Sequence, residues 1–274
     1  MATSYNPKIT TGGLILGLDA ANRKSYIGSG TAWNDLSGNN NSVTLVNGPT
    51  FNTSNAGNIV FDGTNDNGTF GTTFGNGLAA ITVQVWFRPT VLSTSFTHIV
   101  GVDDNSSGGA ESVFLLTVDR LTAVTHMPSS YIGTNVAFGV RTTSQTAQAR
   151  ARPIHVADVI TFWPEYLQGM AIVKNPAEYA LNTWMCVTGV YNGTNTLMYI
   201  NGVLRGSSVS QPDGINRSIT GNLNTSAMTR TIAMGSTSAN YFSGNLSQIL
   251  IYNRALSASE VLNNYNVTRS RFGV

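Results

Sequence analysis

The chain carries 13 acidic residues among 274, and their spacing decides first whether it can do acid–base chemistry. Cleaving a glycosidic bond takes two carboxyl groups on opposite sides of the scissile bond, roughly 5–10 Å apart. In many sandwich enzymes one strand supplies them in a Glu-x-Asp-x-x-Glu run, and no such run occurs. Glu111, Glu165 and Glu178 stand alone, while Asp103 and Asp104 are adjacent and would face opposite ways on a strand. A Gly-x-Ser-x-Gly elbow, a phosphate-binding Walker loop and a dinucleotide Gly-x-Gly-x-x-Gly are all missing. His98, His126 and His155 are far apart and lack a second ligand at metal spacing. The sequence therefore predicts no catalytic residue and no enzyme.

Binding chemistry is better represented. "DLSGNNN" (Asp35, Asn39, Asn41) and "DGTNDN" (Asp62, Asn65, Asp66) hold the oxygen donors a calcium ion prefers. The same residues beside glycine also make turns by bonding their own backbone. A third cluster, "DDNSSGG" at 103–109, starts like a calcium loop but lacks the closing glutamate. For sugar, an exposed aromatic face beside fixed polar groups is required. Trp163, next to Pro164, with Tyr166 and Tyr131 are the candidates for such a platform. The same aromatics, with Arg150 and Arg152, equally suit a subunit contact, because interface centres favour those residue types.

Composition narrows the partners. Only 10% of residues are charged, and the net charge of +2 comes from scattered residues with no basic run. That excludes a nucleic-acid footprint despite a pI near 8.7. The one cysteine, Cys186, rules out an internal disulfide and a cysteine zinc site. The start lacks a signal-peptide pattern and no apolar run is long enough for a bilayer, so the expectation is a soluble product of a cytoplasm with no membrane insertion.

Short apolar runs rich in β-branched residues recur between turn signals, predicting an all-β, two-sheet antiparallel sandwich. In "ITVQVWF" the alternation puts Ile81, Val83, Val85 and Phe87 on one face and Thr82, Gln84 and Trp86 on the other. Asn192-Gly193 and Asn201-Gly202 mark hairpins between Trp184 and Gly206. Near the end, Ser257 and Glu260 form a capping box, and Leu256 and Val261 a hydrophobic staple. The helix they start runs from Ala258 to about Asn266 with Val261, Leu262 and Tyr265 inward, Tyr252 and Leu256 facing the core and Arg254 solvent.

"FDGTND" (61–66), "WFRP" (86–89), "VYNGTNTLMYINGVLRG" (190–206) and "FSGNLSQILIYNRALSASEVLNNY" (242–265) together resemble the laminin G-like, concanavalin A-type lectin/glucanase domains. "GLILGLDAANRKSYIGSGTAWNDLSGNNNSVTLVNGPTF" (13–51) and the tail "NYNVTRSRFGV" resemble the variant found in virion proteins of tailed bacteriophages. The resemblance implies a jelly roll over 13–267 with an insertion at about 120–180, an arm at 1–12 and a tail at 268–274. It also implies a non-enzymatic protein of the virion, made in the host cytoplasm, as capsid decoration or part of a fibre or tail appendage. Its partners would be copies of itself and other virion proteins, with Arg150, Arg152, Arg269, Arg271 and Phe272 as contacts, and a host-surface glycan as the alternative. Calcium at the sandwich rim, on Asp35, Asp66 and Asp62, is a further implication.

Overall fold

The computed structural model describes residues 8–91, 97–102, 113–121, 133–144, 169–210, 214, 216–234 and 240–274. In chain order the strands are β1 (Leu14–Asp19), β2 (Ala32–Trp33), β3 (Val43–Val46), β4 (Thr50–Asn52), β5 (Asn58–Asp62), β6 (Asn67–Phe70), β7 (Ile81–Pro89) and β8 (Thr97–Gly101). There follow β9 (Phe114–Leu121), β10 (Gly133–Val140), β11 (Met170–Lys174), β12 (Met185–Tyr191), β13 (Thr196–Ile200), β14 (Val203–Ser207), β15 (Arg230–Ile232) and β16 (Ser243–Tyr252). A single α-helix among the described residues, α1 (Ala258–Thr268), runs into a 3-10 turn at Arg269–Phe272.

The strands pair into two antiparallel sheets. One has the order β14-β13-β12-β7-β16-β5-β4 with β1 also on β16, and the other β11-β10-β9-β8-β15-β6-β3-β2. β10 and β11, which fall in the expected insertion, are thus full members of the second sheet. This is the two-sheet antiparallel sandwich expected from the recurring apolar runs, and the jelly roll that the family resemblance implies. Ile81, Val83, Val85 and Phe87 enter the core between the sheets with Val187, Phe138 and Leu116. At Gly189 on β12 a Cβ would collide with the ring of Phe138 on the facing sheet, so only glycine fits.

The opposite face of β7 is covered too. α1 lies across Gln84 and Trp86, and the segment just before it bonds Thr82, so β7 is buried on both sides. Ser257 and Glu260 form the expected capping box, with Ser257 N–H donating to Glu260 Oε2 at 2.9 Å. Leu256 and Val261 share one buried cluster with Tyr252 and Leu250. Arg254 stays partly exposed and pairs with Glu260.

Three local expectations need correction. Leu262 is 43% exposed, and the inward stripe is Val261, Asn264, Tyr265 and Thr268. At 100° per residue these four share a face that Leu262 does not, and the polar groups beneath demand an amide there rather than a hydrocarbon. The helix also continues to Thr268, past Asn266. Asn201 and Gly202 do form a two-residue turn with φ of 51° and 78°. Asn192 instead caps a longer turn, its Oδ1 accepting from the N–H groups of Thr194 and Asn195.

Candidate functional site

A cleft of about 460 Å³ opens between the loop after β1 and the end of β4. It is lined by Ala20, Ala21, Arg23, Tyr26, Ile27, Gly28, Phe51, Thr53 and Ala56. This volume falls in the range of small-ligand clefts, roughly 300–1,000 Å³.

The loop is fixed by its own hydrogen bonds. Asp19 Oδ1 accepts from Ala21 N–H at 2.9 Å, and Asn22 Oδ1 from Lys24 N–H at 2.9 Å. The backbone N–H groups of Ser25 and Tyr26 both donate to Asn22 O at 2.8 Å. Fully buried Ser25 ties the turn down, accepting from Asp19 N–H and donating to Asn34 O. Tyr26 donates from Oη to Gly30 O at 2.9 Å, and burial pushes its phenol pKa up. Its ring packs at 45° on Phe51, with centroids 5.6 Å apart.

The opposite wall is held from below by the C-terminal turn. Asn55, in left-handed conformation, donates to Arg271 O at 2.8 Å and accepts from Trp184 Nε1 at 2.9 Å. Arg271 in turn pairs with Asp19 at 2.9 Å and donates to Ser247 Oγ. Both walls therefore rest on one cross-linked base. At the mouth, Ile27 is 63% exposed, Phe51 is half-buried, and Arg23 and Thr53 are exposed. The cleft thus presents apolar faces, a hydroxyl and a guanidinium on a rigid frame, and no carboxylate among the described lining residues.

The residues singled out from sequence lie elsewhere. Trp163, Tyr166, Tyr131, Arg150 and Arg152 fall outside the described residues. Phe272 is buried, Arg271 is bonded as above, and Arg269 sits over the ring of Tyr265 at 5.8 Å. Residues 269–272 are thus packed on the domain, and Lys8 and Thr10 at the other end bond to Asn263 and Asn264 of α1.

The rim loops proposed for calcium use their oxygens internally. Asp35 accepts from Gly17 N–H, Ser37 N–H, Ser37 Oγ and Asn41 N–H at 2.7–3.0 Å. A carboxylate offers about four lone-pair positions, so Asp35 is filled. Asp62 Oδ1 accepts from the N–H groups of Thr64, Asn65 and Asp66, and these backbone bonds, Thr64 foremost, lower its pKa. Asp66 Oδ2 accepts from Asp62 N–H, and burial raises its pKa, with the nearby Asp62 charge adding to the rise. Asp62 and Asp66 thus spend part of their oxygens on their own turn. Among the described residues no three His, Cys, Asp or Glu side chains converge as a metal site.

Sequence reasoning passed over Arg23, Tyr26, Ile27, Phe51 and Thr53. The signal available was a charged pair, Arg23-Lys24, beside an aromatic and two glycines directly after a strand. Phe51 lies 25 residues from Tyr26, beyond any local pattern.

Comparison with known proteins places this frame. No curated protein matches the sequence. Among solved structures, domain 4 of AbnA, a GH43 extracellular arabinanase from Geobacillus stearothermophilus in complex with arabinotriose, matches at 14% identity and TM-score 0.57 over 92% of this chain and 98% of that one. The botulinum neurotoxin serotype G binding domain matches at 16% identity and TM-score 0.58 over 94% of this chain and 51% of that one. The serotype D ligand binding domain in complex with N-acetylneuraminic acid matches at 15% and 0.58 over 93% and 51%. The chain thus spans about half the length of these neurotoxin domains, and the likeness at such identities is one of fold. A family model described as the concanavalin A-like lectin/glucanases superfamily matches residues 37–262, most of the chain and most of both sheets, and the protein belongs to that superfamily.

Proposed function

We propose that the protein is a non-enzymatic, lectin-like module that binds a host-surface polysaccharide in the cleft between Arg23 and Phe51. One observation carries this reading: a preorganised cleft whose half-buried aromatic wall stands beside an exposed hydroxyl and cation. Pyranose rings present C–H faces that pack on such walls, while hydroxyls seek the polar rim. Two solved structures of similar fold are complexes with arabinotriose and with N-acetylneuraminic acid, which agrees with this use of the frame. The non-enzymatic part is supported by the cleft's lining, whose described residues offer no pair of carboxylates for hydrolysis. Display on the virion of a tailed bacteriophage, among copies of itself and other virion proteins, completes the proposal; its support is the sequence resemblance over 13–51 and the tail.

A glycan array with purified protein tests the binding. The expected result is a restricted set of bound polysaccharides, with Phe51→Ala reducing binding at least tenfold while far-ultraviolet circular dichroism stays unchanged. An array with no bound glycan, or one unaffected by Phe51→Ala, would sink the reading. Release of reducing sugar from a bound polysaccharide would overturn the non-enzymatic part, and failure to find the chain in purified particles by mass spectrometry would overturn the virion part.

A further inference from the structure

Arg23 differs from several other arginines of the chain, whose guanidinium groups are bonded within the fold. Arg271 is bonded to Asp19 and Ser247, Arg254 to Glu260, and Arg88 to Asn182. Arg230, fully buried, donates to the backbone oxygens of Phe74, Thr72 and Met228 and to Asn76. Arg23 lines the cleft and its guanidinium bonds to none of the described residues. Among the described residues no acid lines the cleft, and the carboxylate of Asp19 is spent on Ala21, Gln248 and Arg271. Lys24, exposed beside it, adds a second positive charge.

From this we infer that the saccharide held in the cleft is an acidic one, and that Arg23 receives its carboxylate. The inference rests on the glycan-binding reading above and sharpens its ligand class. A planar guanidinium matches a carboxylate through two parallel N–H···O bonds, stronger than bonds to neutral hydroxyls. The turn that carries Arg23 is already fixed by Asp19, Asn22 and Ser25, so holding it for a ligand costs little backbone freedom. A uronic acid suits both walls together. Its carboxylate projects from the ring edge, toward the loop bearing Arg23, while its C–H face is left for Phe51 and Ile27. A neutral pyranose satisfies the aromatic wall and leaves the cation bare.

Calorimetric titration tests this with paired probes: oligogalacturonate, oligomannuronate and sialyllactose, each against its own neutral methyl ester. The wild-type protein is expected to bind at least one acid at least tenfold more tightly than the matching ester. Arg23→Gln should bring that acid down to the ester's affinity and leave the ester unchanged, and Arg23→Lys should fall between. Equal affinity for acid and ester, or an acid affinity untouched by Arg23→Gln, would overturn the inference. So would binding of neutral or sulfated sugars alone; if Phe51→Ala abolished that binding, glycan recognition would stand and only its acidic character would fall. An absence of any Phe51-dependent binding would fell both.

Discussion

Phe272 lies flat on Trp86, with ring centroids 4.0 Å apart and planes inclined by 17°. Tyr265 stacks near the same indole at 5.7 Å, and Trp184 packs on Phe272 at 4.8 Å. The indole N–H donates to Thr268 Oγ1 at 2.8 Å, so its polar edge is satisfied. The end of the chain is therefore the cover of an aromatic cluster on the outer face of β7.

Truncating that cover should be costly. Phe272→Ala is expected to destabilise the fold by about 3–4 kcal/mol, the usual range for removing a buried aromatic. Urea unfolding measures the loss, and the tryptophan emission of the folded variant should shift to the red as Trp86 meets water. A variant with unchanged stability but altered oligomeric state would instead mean that Phe272 leaves Trp86 to serve assembly.

A second expectation concerns Asn264, fully buried on the inward face of α1. Its amide nitrogen donates to Tyr252 Oη at 3.0 Å and Gln84 Oε1 at 3.3 Å, and its oxygen accepts from Thr10 N–H at 2.7 Å. Asn264→Ala strands these groups away from water, at roughly 1–3 kcal/mol for each buried group left unpaired. A loss of at least about 2 kcal/mol in urea unfolding is expected. Amide exchange at Thr10 should speed up, and that local readout separates this bond from a general loosening.

Acid should find Glu260. The Arg254 hydrogen bonds, at 2.5 and 3.0 Å, and then the Ser257 N–H pull its pKa down to about 2 from an ordinary 4.5. With the folded value depressed, the stabilisation is complete above about pH 4.5 and is lost as pH falls toward 2. The group is partly exposed, so the effect is modest. Glu260→Gln should flatten the decline of the urea midpoint between pH 5 and 2; an unchanged slope would mean the pair contributes nothing to folding.

What the sequence disclosed was local. The alternation through Ile81–Phe87, the Asn201-Gly202 turn and the Ser257–Glu260 box are each written within a few residues, and each appears in the fold. What it hid was long-range. Nothing near Asn264 announces Thr10, 254 residues away, and an apolar-stripe rule favours Leu262 over the Asn264 amide. Asp35 shows the same limit for chemistry, since residue type alone cannot tell whether a carboxylate faces an ion or its own backbone. The cleft joins Arg23 to Phe51 across two strands, a juxtaposition that only folding creates.

Many of the ties between distant segments are neutral amides. Asn39 and Asn41 donate to Leu14 O and Ile15 O, Asn55 to Arg271 O, and Asn245 to Asn58 Oδ1. Such bonds carry no net charge for dissolved ions to screen, whereas an exposed guanidinium loses reach as the Debye length shrinks from about 10 Å at 0.1 M to about 3 Å at 1 M. Brine would therefore leave the sandwich standing while loosening the grip of Arg23, so ionic strength could set what the module holds without deciding whether it is folded.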